Sequence, residues 1–478
     1  MQPILTADRM RALEQQRFAR GLSSLAAMEA AGLAVAQICA ERLVPGTALV
    51  LCGPGNNGGD GFVCARHLQE IGWDVTVATW SDPAVMRGDA AAMRDRWSGR
   101  TLPIAALGGD VGYGLVVDAL FGIGLSRPLN PSGKLRSIAA RARLRIAVDV
   151  PSGLNADTGA WDPLFPSDVT VTFGAKKPGH LLLPGRLACG EVLVAGIGLE
   201  PEMANLFETA PPLLPEGRLD WHKYARGAVL AVSGGMTSTG AARLAARAAL
   251  RIGAGVVTLL SPPDAAMVNA CHLSAIMLKV VRDTAEAIDA ARDARVRAVV
   301  LGPGLGVGAA TAELVLALLS TGTPLVLDAD ALTSFAGAPA RLFQALAGCA
   351  AGAVLTPHEG EFARLFPDLA GDKLSRAQAA AARAQATVLL KGADSVIAAP
   401  DGRAAINGHA APWLATAGSG DVLAGMIAGL MAQGLPAWDA ACAASWLHGE
   451  AGIRGGRGLI AEDLPELLPA ILQSLPAR

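Results

Sequence analysis

Short apolar runs that stop at a glycine- or acid-rich loop, then resume with helical spacing, recur from one end of this chain to the other. In the first half, residues 47–52 end in Gly53-Pro54-Gly55-Asn56-Asn57-Gly58-Gly59-Asp60-Gly61, helical spacing covers 62–71, and 74–78 reads as the next strand. Runs at 115–120 and 145–148 arrive at Asp118 and Asp149, and runs at 169–173 and 191–195 close the half. Strand, loop and helix in that order build parallel sheets covered by helices, with ligands held at the strand ends. The predicted class is therefore α/β. Ahead of this series, 8–43 reads as two helices, with Ser23 or Ser24 as a cap.

A second series starts at 227–232, followed by Ser233-Gly234-Gly235 and an alanine-rich helix to Ile252. Its strand ends lead into Gly302-Pro303-Gly304-Leu305-Gly306, Asp328-Ala329-Asp330, Thr356-Pro357-His358-Glu359-Gly360-Glu361 and Lys391-Gly392-Ala393-Asp394-Ser395. Between the two series, 199–220 carries Pro201, Pro211, Pro212 and Pro215 without any period. A chain of 478 residues exceeds one ordinary core. The expected division is 1–205, a linker at 206–222, and 223–478. The halves share an architecture but no legible repeat.

Composition removes several classes of function. A net charge of -2 and 4% aromatic residues leave neither a basic surface nor stacking platforms for nucleic acid. The 7 cysteines are widely spaced with no C-x-x-C pair, which reads as reduced thiols in a cytoplasmic protein. The amino terminus shows no charged leader followed by an apolar core. The most membrane-like window, 422–438, is broken by glycines and a proline and adjoins Asp421, so a buried helix is expected and no membrane span.

Chemistry concentrates at the loops. In Thr416-Ala417-Gly418-Ser419-Gly420-Asp421, a helix starting at the glycines would offer the N–H groups of Gly418, Ser419 and Gly420 to a phosphate. Asp421 repels that phosphate, yet it suits a base that deprotonates an attacking hydroxyl. The plainer reading is a capped helix start. Lys391 reads as a phosphate contact or a solvated charge, and His358 as a substrate contact or a satisfied structural histidine. The other six histidines have no metal-ligand spacing around it. In the first half, Asn57, Asp60, Asp118, Asp149 and Ser152 fall at one sheet edge, and the loop at 53–61 could hold phosphate, a hard cation, or both.

The loops at 56–61, 118–128 and 149–153 resemble the NAD(P)HX epimerase domain, also called the YjeF N-terminal domain. The resemblance implies a Rossmann-like three-layer α/β/α fold that interconverts the R and S forms of hydrated NADH and NADPH. It implies substrate contacts at Asn56, Asn57, Gly58, Gly59, Asp60, Gly122, Ile123, Gly124, Leu125, Ser126, Arg127, Pro128 and Asp149. It further implies potassium (K+) on Asn57, Asp118 and Ser152. Inverting a carbon that bears hydroxyl beside a ring nitrogen needs proton transfer, and Asp149 is the residue placed for it.

The second half, through Gly240-Ala241-Ala242, 302–306, 328–332, 355–361, 391–395 and 417–421, resembles the ADP/ATP-dependent NAD(P)HX dehydratase family, the YjeF C-terminal domain. That implies a ribokinase-like fold, with nucleotide on Lys391, Gly392, Ala393, Asp394, Ser395 and Gly420. Substrate contacts would be Ala241, Gly304 or Gly306, His358 and Asp421, with magnesium (Mg2+) held mainly by the nucleotide and helped by an acid such as Glu361. Bacterial relatives generally use ADP, and relatives assemble, which implies a homo-oligomer, a tetramer or larger. The expected protein is a fused repair enzyme acting on NADHX and NADPHX. The alternatives are a hydroxymethylpyrimidine- or hydroxyethylthiazole-type kinase, which leaves the first half without a role, and a noncatalytic nucleotide sensor.

Overall fold

The computed structural model describes residues 1–108, 111–125, 129, 133–160, 164–215, 217–349 and 351–475. It divides into two compact units, Pro3–Ala204, and Asn205–Arg478 together with Met1–Gln2.

Strand β1 is Gln2–Pro3; the first unit's own strands are β2 (Thr47–Cys52), β3 (Asp74–Thr79), β4 (Arg100–Pro103), β5 (Leu115–Ala119), β6 (Leu144–Val148), β7 (Val169–Phe173) and β8 (Glu191–Ala195). They form one sheet in the order β4-β3-β2-β5-β6-β7-β8. Every pair is parallel. The chain winds outward from β2 to β4, then returns to place β5 on the other side of β2. The carboxyl ends of β2 and β5 are thus the switch point where such sheets bind ligands. Alternate residues of β2 feed two cores, Val50 packing with Phe62 and Val35 on one face and Leu49 and Leu51 with Leu135 and Ile138 on the other.

Ser23 Oγ accepts from the Ala26 N–H at 3.2 Å and caps the helix Ser24–Arg42. This is the one helix among the described residues long and apolar enough to cross a membrane; Ala31, Val35 and Cys39 on it are core residues. The stretch expected as a loop through Gly61 is instead helix from Asn56 onward: the helix runs Asn56–Glu70. The Gly58 and Gly59 N–H groups both donate to Gly55 O, at 3.0 and 3.2 Å. A methyl on Gly61 would stand 2.7 Å from Ala119 Cβ, and one on Gly59 2.6 Å from Met28 Sδ. These glycines let the helix lie against the sheet and against helix Ser24–Arg42 at a distance no side chain permits.

The second unit carries β9 (Leu206–Glu208), β10 (Ala228–Val232), β11 (Val256–Ser261), β12 (Met277–Val280), β13 (Val296–Leu301), β14 (Leu325–Leu327), β15 (Ala353–Leu355), β16 (Thr387–Leu390), β17 (Ser395–Ala398) and β18 (Ala404–Asn407). The sheet order is β1-β9-β18-β17-β16-β15-β14-β13-β10-β11-β12. It is parallel from β12 to β16, and β16, β17 and β18 are antiparallel. The segment 206–222 expected as linker therefore opens with a strand, since Leu206 to Glu208 pair with Ala404 to Ile406. Three residues are too few for a strand period to show. The apolar window after Asp421 is the buried helix Ser419–Ala432. Gly425 and Gly429 face Ala245, Ala249 and Ile252 on the helix Gly240–Arg251 with no room for a methyl between.

Candidate active sites

In the first unit, the ends of β2, β5 and β6 open into a cavity of about 500 Å³. Asn56, Asn57, Asp60, Gly122, Ile123, Gly124, Leu125 and Asp149 line it, joined by Arg11, Glu14 and Lys177. Gly58 and Gly59, expected to touch substrate, have their N–H groups engaged within the chain and pack against Gly53 and Met28. Ser126, Arg127 and Pro128 lie outside the described residues.

Asp149 sits at φ 66°, a left-handed conformation that costs a residue with a side chain. Its surroundings hold it there. The carboxylate accepts from Lys177 Nζ at 2.7 Å, Thr172 Oγ1 at 3.1 Å and the Ile123 N–H at 3.1 Å. Lys177 Nζ also donates to Thr172 Oγ1 at 2.7 Å and Phe173 O at 3.3 Å, so its three protons all have acceptors. His180 Nδ1 accepts from the Lys177 N–H at 3.0 Å, which leaves the proton on Nε2 to donate to Asp149 O, also at 3.0 Å. Burial, with the neighbouring Lys177 charge, drives the imidazole down to about 3, so His180 is neutral. Burial works to raise the Asp149 carboxyl, but Lys177 outweighs it and keeps Asp149 ionised. Asp60 goes the other way: burial first, then the charges of Asp149 and Glu14, push it well above the carboxylate range.

Asp118 is buried and accepts from Ser152 Oγ at 2.6 Å, the Ser152 N–H at 2.9 Å and the Leu120 N–H at 3.2 Å. Burial raises it despite these bonds. Among the described residues no basic side chain pairs with it, and Asn57 Nδ2 is buried without a partner. Gly122 lets Asn57 and Asp149 close around it: a methyl there would be 2.8 Å from Asp149 Oδ2 and 3.1 Å from Asn57 Oδ1. An all-oxygen set with an unbalanced buried carboxylate fits a hard cation.

In the second unit, Lys391 at the end of β16 sends Nζ to Asp328 Oδ1 at 2.6 Å, with Glu361 Oε2 at 3.8 Å. The glycine turn meets it: a methyl on Gly420 would stand 3.4 Å from Lys391 Nζ and 3.8 Å from Asp328 Oδ2. Gly418 takes φ 87°, and the Ser419 N–H donates to Thr416 O at 3.4 Å, so Ser419 is not among the free donors. The Gly420 and Asp421 N–H groups have no acceptor among the described residues. Burial, then the charge of Asp328, push the Asp421 carboxyl up to about 6, against the pull of Lys391. A carboxyl raised toward neutrality beside a helix end with open N–H groups has the chemistry of a base next to an anion cradle.

The rest of the expected set divides. Gly304 and Gly306 take φ 73° and 85°, and the Gly306 N–H donates to Asp330 Oδ2 at 2.8 Å. Ala241, in the first turn of Gly240–Arg251, follows the loop whose Gly234 packs on Gly304 O. His358 caps helix Glu359–Leu365, its Nδ1 accepting from the Gly360 N–H at 2.9 Å, while its ring remains half exposed. Asp394 pairs with Lys373 Nζ at 2.6 Å and Ser395 Oγ bonds Gly392 within the turn. Those two side chains shape the turn; from this run it is Lys391 that faces Asp328. Sequence reading missed Lys177, His180, Glu14, Lys373 and His448. His448 is buried with Nε2 3.0 Å from Ser419 Oγ, under the glycine turn.

Two α/β units, one on a parallel sheet and one on a mostly parallel sheet, each with charged groups in the loops beyond its strands, define a two-domain enzyme. Residues 24–179 match the family described as YjeF-related protein N-terminus, and 229–473 the family described as NAD(P)H-hydrate dehydratase. A bifunctional NAD(P)H-hydrate repair enzyme from Moorella thermoacetica is 39% identical over 95% of this chain and 93% of its own. One from Salinibacter ruber is 37% identical over 98% of this chain and 96% of its own. A ribokinase-like superfamily protein from Enterococcus faecalis aligns with TM-score 0.50 and 22% identity, covering 57% of this chain and 98% of its own. The chain belongs to the family of bifunctional NAD(P)H-hydrate repair enzymes, which joins an epimerase domain to a dehydratase domain.

Proposed function

We propose that the first unit equilibrates the R and S forms of NADHX and NADPHX at Asp149, and that the second dehydrates the S form at Asp421 with ADP or ATP. With ADP the products are NAD(P)H, AMP and phosphate. The observation that carries this reading is Asp421: a carboxylate raised to about 6 beside the open N–H groups of Gly420 and Asp421 and the Lys391 ammonium.

Asp421 takes the proton of the S-form hydroxyl as that oxygen attacks the terminal phosphorus. Gly420 N–H, Asp421 N–H and Lys391 receive the phosphate oxygens. The ring nitrogen's lone pair then expels the phosphate ester with the C–O bonding electrons, and loss of a neighbouring carbon's proton restores the dihydropyridine. Asp328 and Glu361, both within reach of Lys391, are the carboxylates that would meet a nucleotide-bound magnesium, which supplies charge neutralisation. In the first unit, Asp118, Ser152 and Asn57 would hold potassium, which supplies the positive charge that Asp118 lacks. Asp149 exchanges a proton at the substrate hydroxyl, with Lys177 keeping it ionised.

Recovery of reduced-nicotinamide absorbance from an epimer mixture tests both halves. Wild type with ADP or ATP is expected to recover all of it, Asp421→Ala none, and Asp149→Ala a rapid phase that consumes only the S form. No recovery by wild type with either nucleotide overturns the dehydratase assignment and favours an alcohol kinase.

A further inference from the structure

We infer that Glu14 is the second proton-transfer residue of the first unit, acting across the cavity from the Asp149–Lys177 pair; this rests on the epimerase reading above. Inversion at a carbon bearing hydroxyl needs an acid where the oxygen leaves and a base where it returns, and Asp149 is one group. Glu14 comes from a different element, the helix Ala7–Ala19, and lines the same cavity. Its helix is fastened to that cavity. The Ala7 N–H donates to Asp157 Oδ1 at 2.7 Å, and Arg11 Nη2 donates to Ile123 O at 3.0 Å. Ile123 is the residue whose N–H holds Asp149. Three positions beyond Arg11, Glu14 lies on the same helix face.

The Glu14 carboxyl has no hydrogen bond or ion pair among the described residues, unlike Arg11, which is tied to Asp8 and Ile123. The charged groups facing it are Asp149 and Lys177 from the sheet side, Asp60 on the helix Asn56–Glu70 and Arg11 on its own helix; burial first, then Asp149, raise its carboxyl. Asp60 lines the cavity too, but burial and the charges of Asp149 and Glu14 hold its proton on it, whereas Glu14 is only half buried.

In one direction, Glu14 gives its proton to the departing hydroxyl. The C–O bond breaks with its electrons on oxygen, water leaves, and the ring nitrogen's lone pair forms the C=N bond. Water adds to the opposite face and loses its proton to Asp149. Glu14 has lost one proton and Asp149 gained one, and exchange with solvent resets both. The reverse reaction exchanges their roles.

The test is steady-state interconversion of the separated epimers, followed chromatographically over a range of pH, for wild type, Glu14→Gln, Glu14→Ala, Glu14→Asp and Asp149→Asn. Glu14→Gln is expected to lower kcat about 100-fold with KM within about twofold, and to lose the limb of the pH profile that falls toward alkaline pH. A kcat within about threefold of wild type, or a loss confined to KM, overturns the inference. If Glu14→Gln does not fold, Glu14→Ala and Glu14→Asp decide: a kcat lowered in Glu14→Ala at an unchanged melting temperature and partly restored in Glu14→Asp supports the role, and an unaltered kcat in Glu14→Ala overturns it. Asp149→Asn separates the two claims. No interconversion by wild type above the spontaneous rate sinks the epimerase assignment itself, an active Asp149→Asn sinks the role of Asp149, and an inactive Asp149→Asn beside an active Glu14→Gln sinks only the role of Glu14.

Discussion

Asp149, just past the end of β6, and Asp421, in the first turn of helix Ser419–Ala432, are both enclosed carboxylates whose surroundings drive them apart. Lys177 keeps Asp149 ionised, whereas burial and then the charge of Asp328 push Asp421 up to about 6 against the pull of Lys391. In the proposed dehydration the ionised form of Asp421 is the base, so the rate should fall about tenfold per pH unit below about 6, measured as S-form consumption at saturating nucleotide. The same shift bears on stability. A carboxyl raised on folding penalises the folded state fully above about 6 and costs nothing below its ordinary unfolded value of 3.8. Asp421→Asn should therefore gain about 1–2 kcal/mol in urea unfolding at neutral pH and nothing in acid, while losing activity. Lys177→Met should do the reverse. It leaves Asp149 buried without its counter-ion, and should cost about 3–5 kcal/mol together with epimerisation. The Asp149 contribution is present above the carboxyl's unfolded pKa and disappears as pH falls through its lowered folded value, so the Lys177→Met deficit should shrink in acid.

Among the elements, buried parallel strands were the most legible, because both faces are covered and they read as continuous apolar runs. Ala48 to Cys52 of β2, Leu325–Leu327 and Ala228–Val232 show this directly. The exposed β4, the three-residue β9 and the antiparallel β17 and β18 carry no such run or lie in segments read for other reasons. The start of helix Asn56–Glu70 was misread because glycine is a poor helix former locally, while the packing of that helix requires the missing side chains. The same logic governs the helix under Asp421. Gly425→Ala drives a methyl into the Ala245 backbone and should cost about 2–3 kcal/mol, with the nucleotide-dependent rate lowered as the glycine turn shifts. Denaturant unfolding and single-turnover dehydration of the same preparation read the two effects.

At the scale of the whole molecule, the two units keep separate cores: Val50, Phe62 and Val117 in the first, Ala245, Met426 and Leu447 in the second. Calorimetry is expected to show two transitions, Lys177→Met lowering one and Gly425→Ala the other; a single transition shifted by both overturns this division. The sequence by itself determined two α/β series, the apolar runs that become their central strands, the polar residues Asn57, Asp118, Asp149 and Lys391 at or just beyond strand ends, and Asp421 in the glycine turn. These follow from local periodicity and from loop chemistry that each segment carries alone. Only the tertiary structure decided which distant groups complete each site: Lys177 and His180 on Asp149, Glu14 across the cavity, Asp328 on Lys391, and His448 beneath the glycine turn. A lysine or glutamate in a helix or turn reads as a surface charge until folding removes its water, and the partner that makes burial tolerable comes from another part of the chain.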